Sequence, residues 1–252
     1  MGFIDLHCHP LPGIDDGVRN ADDGAALLAG LRALGFDTVV ATPHVRSGLW
    51  DNRIDTRAAA HGVLAEVLAT SERAGVALPK LLLAGEHMFD DVLHDLLHRG
   101  EALTYPGGGA ALVEFPYDSI PMRVELQLWR MAKTVRPVLA HPERYVPVQR
   151  SDDKLDELAG AGAWMLLDVM SLVGAYGRRA QETAERLLAA GRYTAACTDA
   201  HKSADLPQVA RAIDVLRAAV GEAGVQKLLR EGPEKVLAVA AGLKPGASPA
   251  AR

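Results

Sequence analysis

The chain has 252 residues, of which 49% are hydrophobic and 23% charged, with a formal net charge of -5. This length suits a large α/β domain with a substantial buried core. The negative charge and the scattered basic residues argue against nucleic-acid binding. No stretch approaches the length of a membrane span and the amino terminus lacks a secretion signal, so we expect a cytoplasmic protein without direct membrane insertion.

Seven short runs along the chain are continuously apolar, which is the pattern of strands covered by helices on both faces. In chain order the runs cover residues 3–6, 38–41, 81–84, 111–115, 137–140, 164–169 and 193–196. Helical patterns separate them. Their regular alternation predicts parallel βαβ units in one α/β domain over residues 1–241, followed by a disordered tail at 242–252.

The helical patterns are apolar stripes with recognisable ends. The first stripe, around Leu27 and Leu31, follows a candidate N-cap at Asn20, and a second stripe stops before Gly75. The others cover residues 88–97, 187–188, 209–220 and 227–230, and a turn at residues 107–109 precedes the fourth strand.

Side chains that bind divalent cations stand at or near the ends of these strands. His7 and His9 end the first strand, and the same spacing recurs in Asp199 and His201 after the last one. Residues two apart on a strand face the same side, so each pair can point at one ion. Between the two pairs come Asp15 or Asp16, His44, Glu86, Glu114 and His141.

The number and chemistry of these ligands indicate more than one metal. Because the carboxyl ends of parallel strands meet at one rim, we expect the ligands to converge there. They are too many for one tetrahedral ion and suit two or three ions bridged by carboxylates, an arrangement that activates water and clamps phosphoryl oxygens. Imidazoles and carboxylates without thiolates suit zinc, manganese or iron.

Glu114 lies in an otherwise apolar strand, where an unpaired carboxylate is costly, so we expect it to bridge metals. Only one of Asp15 and Asp16 is expected to be a ligand, because Asp in a Gly-flanked turn often makes local hydrogen bonds. Asp5 is a candidate partner for an imidazole, and Asp168 is left open between a structural and a functional role.

Three further histidines, His61, His94 and His98, lie on helical patterns, where we expect surface positions. Arg144 closely follows His141 and can grip two phosphate oxygens, unless it forms an ordinary ion pair with Glu143.

Two familiar kinds of nucleophile are absent from the sequence. Neither Cys8 nor Cys197 is followed at the sixth position by arginine, so the cysteine loop of classical tyrosine phosphatases is missing. The Gly-x-Ser-x-Gly elbow of serine hydrolases is missing too. We expect both cysteines to be reduced and buried.

In this order, the motifs resemble those of the polymerase-and-histidinol-phosphatase (PHP) superfamily, and within it the bacterial capsule-associated tyrosine phosphatases of the CpsB/CapC/YwqE type. The resemblance spans nearly the whole chain and rests on residues 7–9, 12–17, 41–44, 85–86, 114, 141–144, 171–174 and 199–201. Family members often have Gln-x-Asn where Leu166 and Asp168 stand, and no metal ligand is lost by this change.

The resemblance implies a distorted TIM-like (β/α)7 barrel of the PHP type. It also implies metal-dependent hydrolysis of phosphotyrosine on the tail of a bacterial tyrosine kinase that controls capsular or exopolysaccharide synthesis. Two or three ions are implied, with Mn²⁺ preferred and iron, Co²⁺ or Zn²⁺ as alternatives. A homo-oligomer is compatible with the sequence.

Carried over position by position, the resemblance assigns metal binding to nine residues and catalytic roles to a few of them. The metal ligands are His7, His9, Asp16, His44, Glu86, Glu114, His141, Asp199 and His201. The catalytic residues are Arg144, which also binds the substrate phosphate, together with Glu114, His141 and Asp199.

Two other functions remain open at this stage. One is a PHP-family phosphatase for a small metabolite such as histidinol phosphate. The other is a kinase-binding or metal-binding module without catalysis. A nuclease is disfavoured by the weak basic character of the chain, and an amidohydrolase by Glu114, which stands where that class often has a modified lysine.

Overall fold

The computed structural model describes residues 2–47 and 55–239, which alternate between strands and helices. The strands are β1 (Phe3–Cys8), β2 (Phe36–Ala41), β3 (His44–Val45), β4 (Lys80–Leu83), β5 (Glu86–Met88), β6 (Ala110–Glu114), β7 (Arg136–Ala140), β8 (Trp164–Asp168) and β9 (Ala195–Cys197). The α-helices are α1 (Ala21–Ala33), α2 (Asp55–Ala74), α3 (Asp91–Arg99), α4 (Val124–Met131), α5 (Val146–Arg150), α6 (Asp152–Gly160), α7 (Arg178–Ala189), α8 (Leu206–Gln226) and α9 (Gly232–Leu237).

The strands form a closed barrel with seven strand positions. All pairings are parallel, in the orders β1-β2-β4 and β3-β5-β6-β7-β8-β9. β2 and β4 continue into β3 and β5 after short interruptions, because Pro43 has no N–H for the ladder. A parallel bridge from Cys8 to Ala200, just after β9, closes the ring. The predicted distorted (β/α)7 barrel is confirmed.

The helices also follow the sequence pattern, with two differences. Asn20 caps α1 by accepting a hydrogen bond from the N–H of Asp23, as predicted. Met88, by contrast, belongs to β5, and α3 begins only after the N-cap Asp90. The stripe at 209–220 lies in α8, which is kinked at Gly221, where φ is 67°. Residues 227–231 form a π-helical turn.

The barrel interior is a packed apolar core that ends in a polar layer. Leu112, Leu166 and Cys197 pack inside the barrel on β6, β8 and β9. Side chains two residues apart share a face, so the next inward positions along these strands are 114, 168 and 199. All three are acidic and buried. Carboxylates therefore line the carboxyl rim of the barrel, next to its apolar core.

The predicted disordered tail at 242–252 lies outside the described residues. Within them, no helix combines the length and the apolar character needed to cross a bilayer.

Candidate metal centre

A β-bulge aims the first two histidines at the rim. Between Asp5 and Cys8, β1 advances three residues while β2 advances two. A bulge breaks the strict alternation of side chains. Leu6 can therefore pack in the interior core while the following residue, His7, faces the site. Cys8 points back into the packing, with its Sγ 3.3 Å from the carbonyl oxygen of Ala200, as predicted.

Closure of the barrel joins the first pair of ligands to the last pair. The N–H of Asp199 donates to the carbonyl oxygen of His7, and the N–H of His9 donates to that of Ala200, both at 2.9 Å. The rings of His9 and His201 are stacked, with their centroids 4.0 Å apart. The first pair, His7 and His9, and the last pair, Asp199 and His201, thus share one wall of the site.

Two of the site residues hold strained backbone conformations. His141 has φ 34° and Asp199 has φ 50°, in the left-handed region that few residues other than glycine adopt. Each directly or closely follows a strand, at the rim. Strain of this kind clusters at functional sites, where the surrounding structure compensates for it.

All nine predicted ligands lie together. Their nitrogen and oxygen atoms form four overlapping groups, and within each group the atoms lie within 4.8 Å of one another. The groups are His9 with Asp16, His44 and His201; His7 with His141 and Asp199; His7 with His9 and Glu86; and His44 with Glu86 and Glu114.

The ring nitrogens of His7 and His9 lie close to each other and to two carboxylate oxygens. Nε2 of His7 lies 3.1 Å from Nε2 of His9, from Oε2 of Glu86 and from Oδ1 of Asp199. Nε2 of His9 lies 3.5 and 3.4 Å from the same two oxygens. Nitrogen and oxygen atoms at these distances from one another can bind a divalent cation together.

Glu86 is placed to bridge ions. Its Oε2 faces His7 and His9, and also lies 2.9 Å from Nδ1 of His44. Its Oε1 lies 3.1 Å from Nε2 of His141. One carboxylate thus contacts four imidazoles.

The donor atoms fit divalent cations in charge as well as in spacing. Oε2 of Glu86, Oε1 of Glu114 and Oδ1 of Asp199 are buried and accept no hydrogen bond of normal geometry from the described residues. Burial opposes ionisation, yet the nearby histidines hold the pKa values of Glu86 and Asp199 well below their ordinary range. Burial would likewise lower the pKa of His7, but the carboxylates of Asp199 and Glu86 raise it to about 9.

Asp15 and Asp16 have different positions, which separates the two candidates. Oδ2 of Asp15 accepts a hydrogen bond from Nδ1 of His9 at 2.7 Å, so this carboxylate orients a ring from behind. Oδ1 of Asp16 instead lies 3.3 Å from Nε2 of His44 and 3.4 Å from Nε2 of His201. The geometry favours Asp16 as the ligand.

The loop that carries both aspartates packs closely on the first strand. A Cβ at Gly17 would lie 2.3 Å from the carbonyl oxygen of His9, so only glycine fits there.

Arg144 lies at the edge of the cluster and does not pair with Glu143. Its Nη1 donates to Oδ2 of Asp199 at 2.8 Å. Glu143 faces the opposite direction, where it accepts hydrogen bonds from the N–H of Asp168 and the hydroxyls of Ser171 and Tyr193. The ordinary surface ion pair considered from the sequence is therefore absent.

Asp5 does not contact an imidazole. Its carboxylate accepts hydrogen bonds from the N–H and hydroxyl of Thr198 and from the N–H of His7. It therefore fixes the backbone of β1 and of the segment after β9. The helical histidines His61, His94 and His98 are exposed and belong to none of the four groups, as predicted.

Two tyrosines lie beside Arg144, and neither was predicted to belong to the site. The rings of Tyr117 and Tyr176 lie 4.7 and 4.0 Å from its guanidinium carbon. Both tyrosines stand in loops after strands, and no spacing or composition signal marks them. A cleft of about 390 Å³ opens beside Tyr176 and is also lined by Arg144, Asp199 and His201.

Comparison with known proteins gives a consistent result. The family model for capsular polysaccharide synthesis proteins of the CpsB/CapC type matches residues 3–238. The chain is 29% identical over 202 residues to the tyrosine-protein phosphatase YwqE of Bacillus subtilis (strain 168), which covers 79% of this chain and 77% of that relative.

Solved structures agree with the barrel. One, from work on YwqE from Bacillus subtilis and CpsB from Streptococcus pneumoniae, described as unique metal-dependent tyrosine phosphatases, matches with a TM-score of 0.82 and 25% identity. It covers 99% of this chain and 100% of the other. The phosphotriesterase homology protein from Escherichia coli shares the fold, with a TM-score of 0.58, 12% identity and coverage of 94% and 98%. Since the family model extends over nearly all the described residues and the barrel matches in full, this chain belongs to the CpsB/CapC family of capsular polysaccharide synthesis proteins.

Proposed function

We propose that this chain is a metal-dependent protein-tyrosine phosphatase that hydrolyses phosphomonoesters. The observation that carries the proposal is the nine-residue nitrogen and oxygen cluster with Arg144 hydrogen-bonded to one of its carboxylates. The name of YwqE and the description of the matching crystal structure support the choice of phosphotyrosine.

The cluster has donors for two or three divalent ions. The two groups that contain His7 would hold one of them, and the groups around Glu114 and Asp16 would hold the others. We favour Mn²⁺, with iron, Co²⁺ or Zn²⁺ as alternatives, because the donor set lacks thiolates. When bound, such ions supply Lewis acidity to phosphoryl oxygens and lower the pKa of water.

The chain's own groups orient the substrate. Arg144 touches the carboxylate edge through Asp199, and a guanidinium can donate two parallel hydrogen bonds to a phosphate. We assign it to phosphate binding and to stabilising the negative charge that develops on the phosphoryl oxygens. The strained backbone conformations of His141 and Asp199 preorganise their side chains for substrate binding. The phenolate of tyrosine, with a pKa of about 10, can leave without a strong general acid.

We further propose a cytoplasmic enzyme whose substrate is the phosphotyrosine-bearing tail of a bacterial tyrosine kinase that controls capsule or exopolysaccharide synthesis. The family to which the chain belongs, named for capsular polysaccharide synthesis, supports this role.

The test is a kinetic comparison of a phosphotyrosine peptide, p-nitrophenyl phosphate and histidinol phosphate, each with Mn²⁺ and after chelation. We expect metal-dependent turnover, with the highest kcat/KM on the phosphotyrosine peptide. A preference for histidinol phosphate would assign the chain to small-molecule phosphatases. Metal-loaded protein without turnover of any ester would overturn the proposal in favour of a binding module.

Two variants link any observed activity to the cluster. Glu114→Ala and His141→Ala should each abolish turnover of aryl phosphates while leaving the fold largely intact, as judged by circular dichroism. Glu182→Ala is the matched control, because within the described residues this exposed carboxylate on α7 forms its ion pair with Arg178 on the same helix. Full activity in Glu114→Ala would contradict the assignment.

A further inference from the structure

One buried carboxylate at the rim belongs to none of the four ligand groups in the described part of the chain. Asp168 ends β8 and is completely buried. Its Oδ1 accepts a hydrogen bond from the N–H of Met170 at 2.8 Å and so starts the 3₁₀ turn at Val169–Val173. Its Oδ2 accepts no hydrogen bond of normal geometry, but lies 3.8 Å from Nη1 of Arg144. Burial and the nearby Asp199 raise the pKa of this carboxyl well above its ordinary range, whereas the guanidinium of Arg144 lowers it and so favours the ionised form.

Arg144 is surrounded on four sides. Nη1 lies between two carboxylates, 2.8 Å from Oδ2 of Asp199 and 3.8 Å from Oδ2 of Asp168. The ring of Tyr176 covers the guanidinium at 4.0 Å, and the ring of Tyr117 lies at 4.7 Å. Nη2 donates to the hydroxyl of Tyr117 at 2.5 Å. Aromatic faces and paired carboxylates are the partners that restrict a planar guanidinium most.

Asp199 contacts both the histidine cluster and Arg144, and these two contacts pull its carboxylate in different directions. Its Oδ1 faces the histidine pair, 3.1 Å from Nε2 of His7, while its Oδ2 accepts from Arg144. A guanidinium held by Asp199 alone would pull that carboxylate away from the cluster. The second carboxylate, on the neighbouring strand, balances this attraction.

We propose that Asp168 and Tyr176 are positioning residues that fix the guanidinium of Arg144 for phosphate binding. This inference rests on the proposed function, since it assumes that Arg144 binds the substrate phosphate. Asp168 anchors the guanidinium by its charge, and Tyr176 keeps it flat against the wall of the cleft. The two residues act through Arg144 and do not themselves bind the phosphate.

The competing explanation is that Asp168 only caps the 3₁₀ turn. Asp168→Asn separates the two explanations, because asparagine keeps the size and the Oδ1 acceptor for Met170 but removes the charge that faces Arg144. Under the proposal, Asp168→Asn raises KM for p-nitrophenyl phosphate and the Kd of inorganic phosphate by about tenfold, which is the scale of a lost charge interaction. We expect kcat to change much less.

A double-mutant cycle with Arg144→Lys tests whether the residues act together. Lysine keeps the charge, so phosphate binding remains measurable by calorimetry on the Mn²⁺-loaded chain, but it lacks the planar group that Asp168 and Tyr176 restrain. We expect Asp168→Asn to have little further effect in the Arg144→Lys background. Equal effects in both backgrounds, or no effect in the wild type, would overturn the proposal.

Tyr176 provides a second, independent variant. Tyr176→Phe keeps the aromatic face and should bind phosphate more tightly than Tyr176→Leu, which removes it. Equal affinities would exclude a role for the ring. Asp214→Asn is the matched control, because in the described part of the chain this exposed aspartate on α8 forms its ion pair with Arg217, and the variant should leave Kd and KM unchanged.

Two measurements keep this proposal distinct from the proposed function. Metal content is determined for every variant and should stay at the wild-type value, since Asp168 and Tyr176 belong to none of the ligand groups. If the wild type binds phosphate but hydrolyses no ester, the phosphatase assignment fails while the phosphate-binding cycle still decides the role of Asp168. If the wild type binds no phosphate, both proposals fail.

Discussion

His7 and Asp199 are joined twice, by a main-chain hydrogen bond of 2.9 Å and by side-chain atoms 3.1 Å apart. The main-chain bond links the end of the first strand to the segment after the last one, so the same contact closes the barrel and assembles the metal centre. Barrel geometry and ligand geometry are therefore set together at this point.

Loss of the Glu86 carboxylate should disturb more of the metal centre than loss of any other ligand, because its two oxygens contact four imidazoles. Glu86→Gln keeps the shape but removes the charge that bridging requires. We expect the metal content to fall by at least one ion per chain, and aryl phosphatase activity to fall by at least about a hundredfold, in keeping with the loss of several kcal/mol of charge stabilisation. Elemental analysis and a p-nitrophenyl phosphate assay measure the two effects. Wild-type metal content in Glu86→Gln would refute the bridging role.

Asp15→Asn and Asp16→Asn should have different consequences. Asp15 orients His9 through Nδ1, so its loss should weaken metal affinity by about 10- to 100-fold and leave the number of ions unchanged. Asp16 presents an oxygen to the cluster, so its loss should reduce the number of bound ions. Manganese titration followed by calorimetry gives affinity and stoichiometry for both variants. The opposite pattern would exchange the two roles.

Metal binding should stabilise the folded chain, since the ligand set exists only when the barrel is closed. At a free Mn²⁺ concentration 100 times Kd, one site contributes about 2.7 kcal/mol to the free energy of unfolding. We expect Tm to rise by several degrees on adding Mn²⁺ and to return on chelation, in a scanning fluorimetry experiment. Glu86→Gln provides the control, because its shift should be smaller. An unchanged Tm in the wild type would argue against a folded-state metal site.

Tyr145 should stabilise the rim without binding anything there. Its buried hydroxyl accepts from the N–H of Phe115 at 3.2 Å and donates to the carbonyl oxygen of Ala140 at 2.7 Å. Tyr145→Phe leaves both backbone groups without this partner, which should lower the free energy of unfolding by about 1–3 kcal/mol. Urea denaturation measures the change. Ser119→Ala, which removes an exposed hydrogen bond to Asp118, is expected to have almost no effect.

The barrel and the ligand set were predictable from the sequence because both depend on short-range patterns. Continuous apolar runs mark strands covered on both faces, and the ligands follow those runs at fixed small distances, as Glu114 and Asp199 illustrate. Residues two apart on one strand face the same side. The carboxyl ends of parallel strands meet at one rim of the barrel, so ligands at those ends converge. The resemblance added the choice of Asp16 over Asp15, and the geometry favours the same choice.

Other features depend on contacts between distant segments and have no local signal. The apolar stripe that starts at Met88 is continuous with α3, yet Met88 pairs in a strand with Glu114 of β6, and this pairing overrides the helical pattern. Tyr176 reaches Arg144 only because the turn after β8 packs beside the turn after β7. Asp5 was assigned to an imidazole by its spacing alone, whereas Thr198, far along the chain, supplies two of its hydrogen-bond donors.

The bridge between Cys8 and Ala200 also has a consequence for biosynthesis. During translation, the first strand and its two histidines leave the ribosome long before the residues that complete their surroundings. A nascent chain that ends before Asp199 lacks two of the nine candidate ligands and the bridge that closes the barrel. Completion of the centre therefore waits until synthesis is nearly finished, and a product truncated before Asp199 would have an open sheet and an incomplete ligand set.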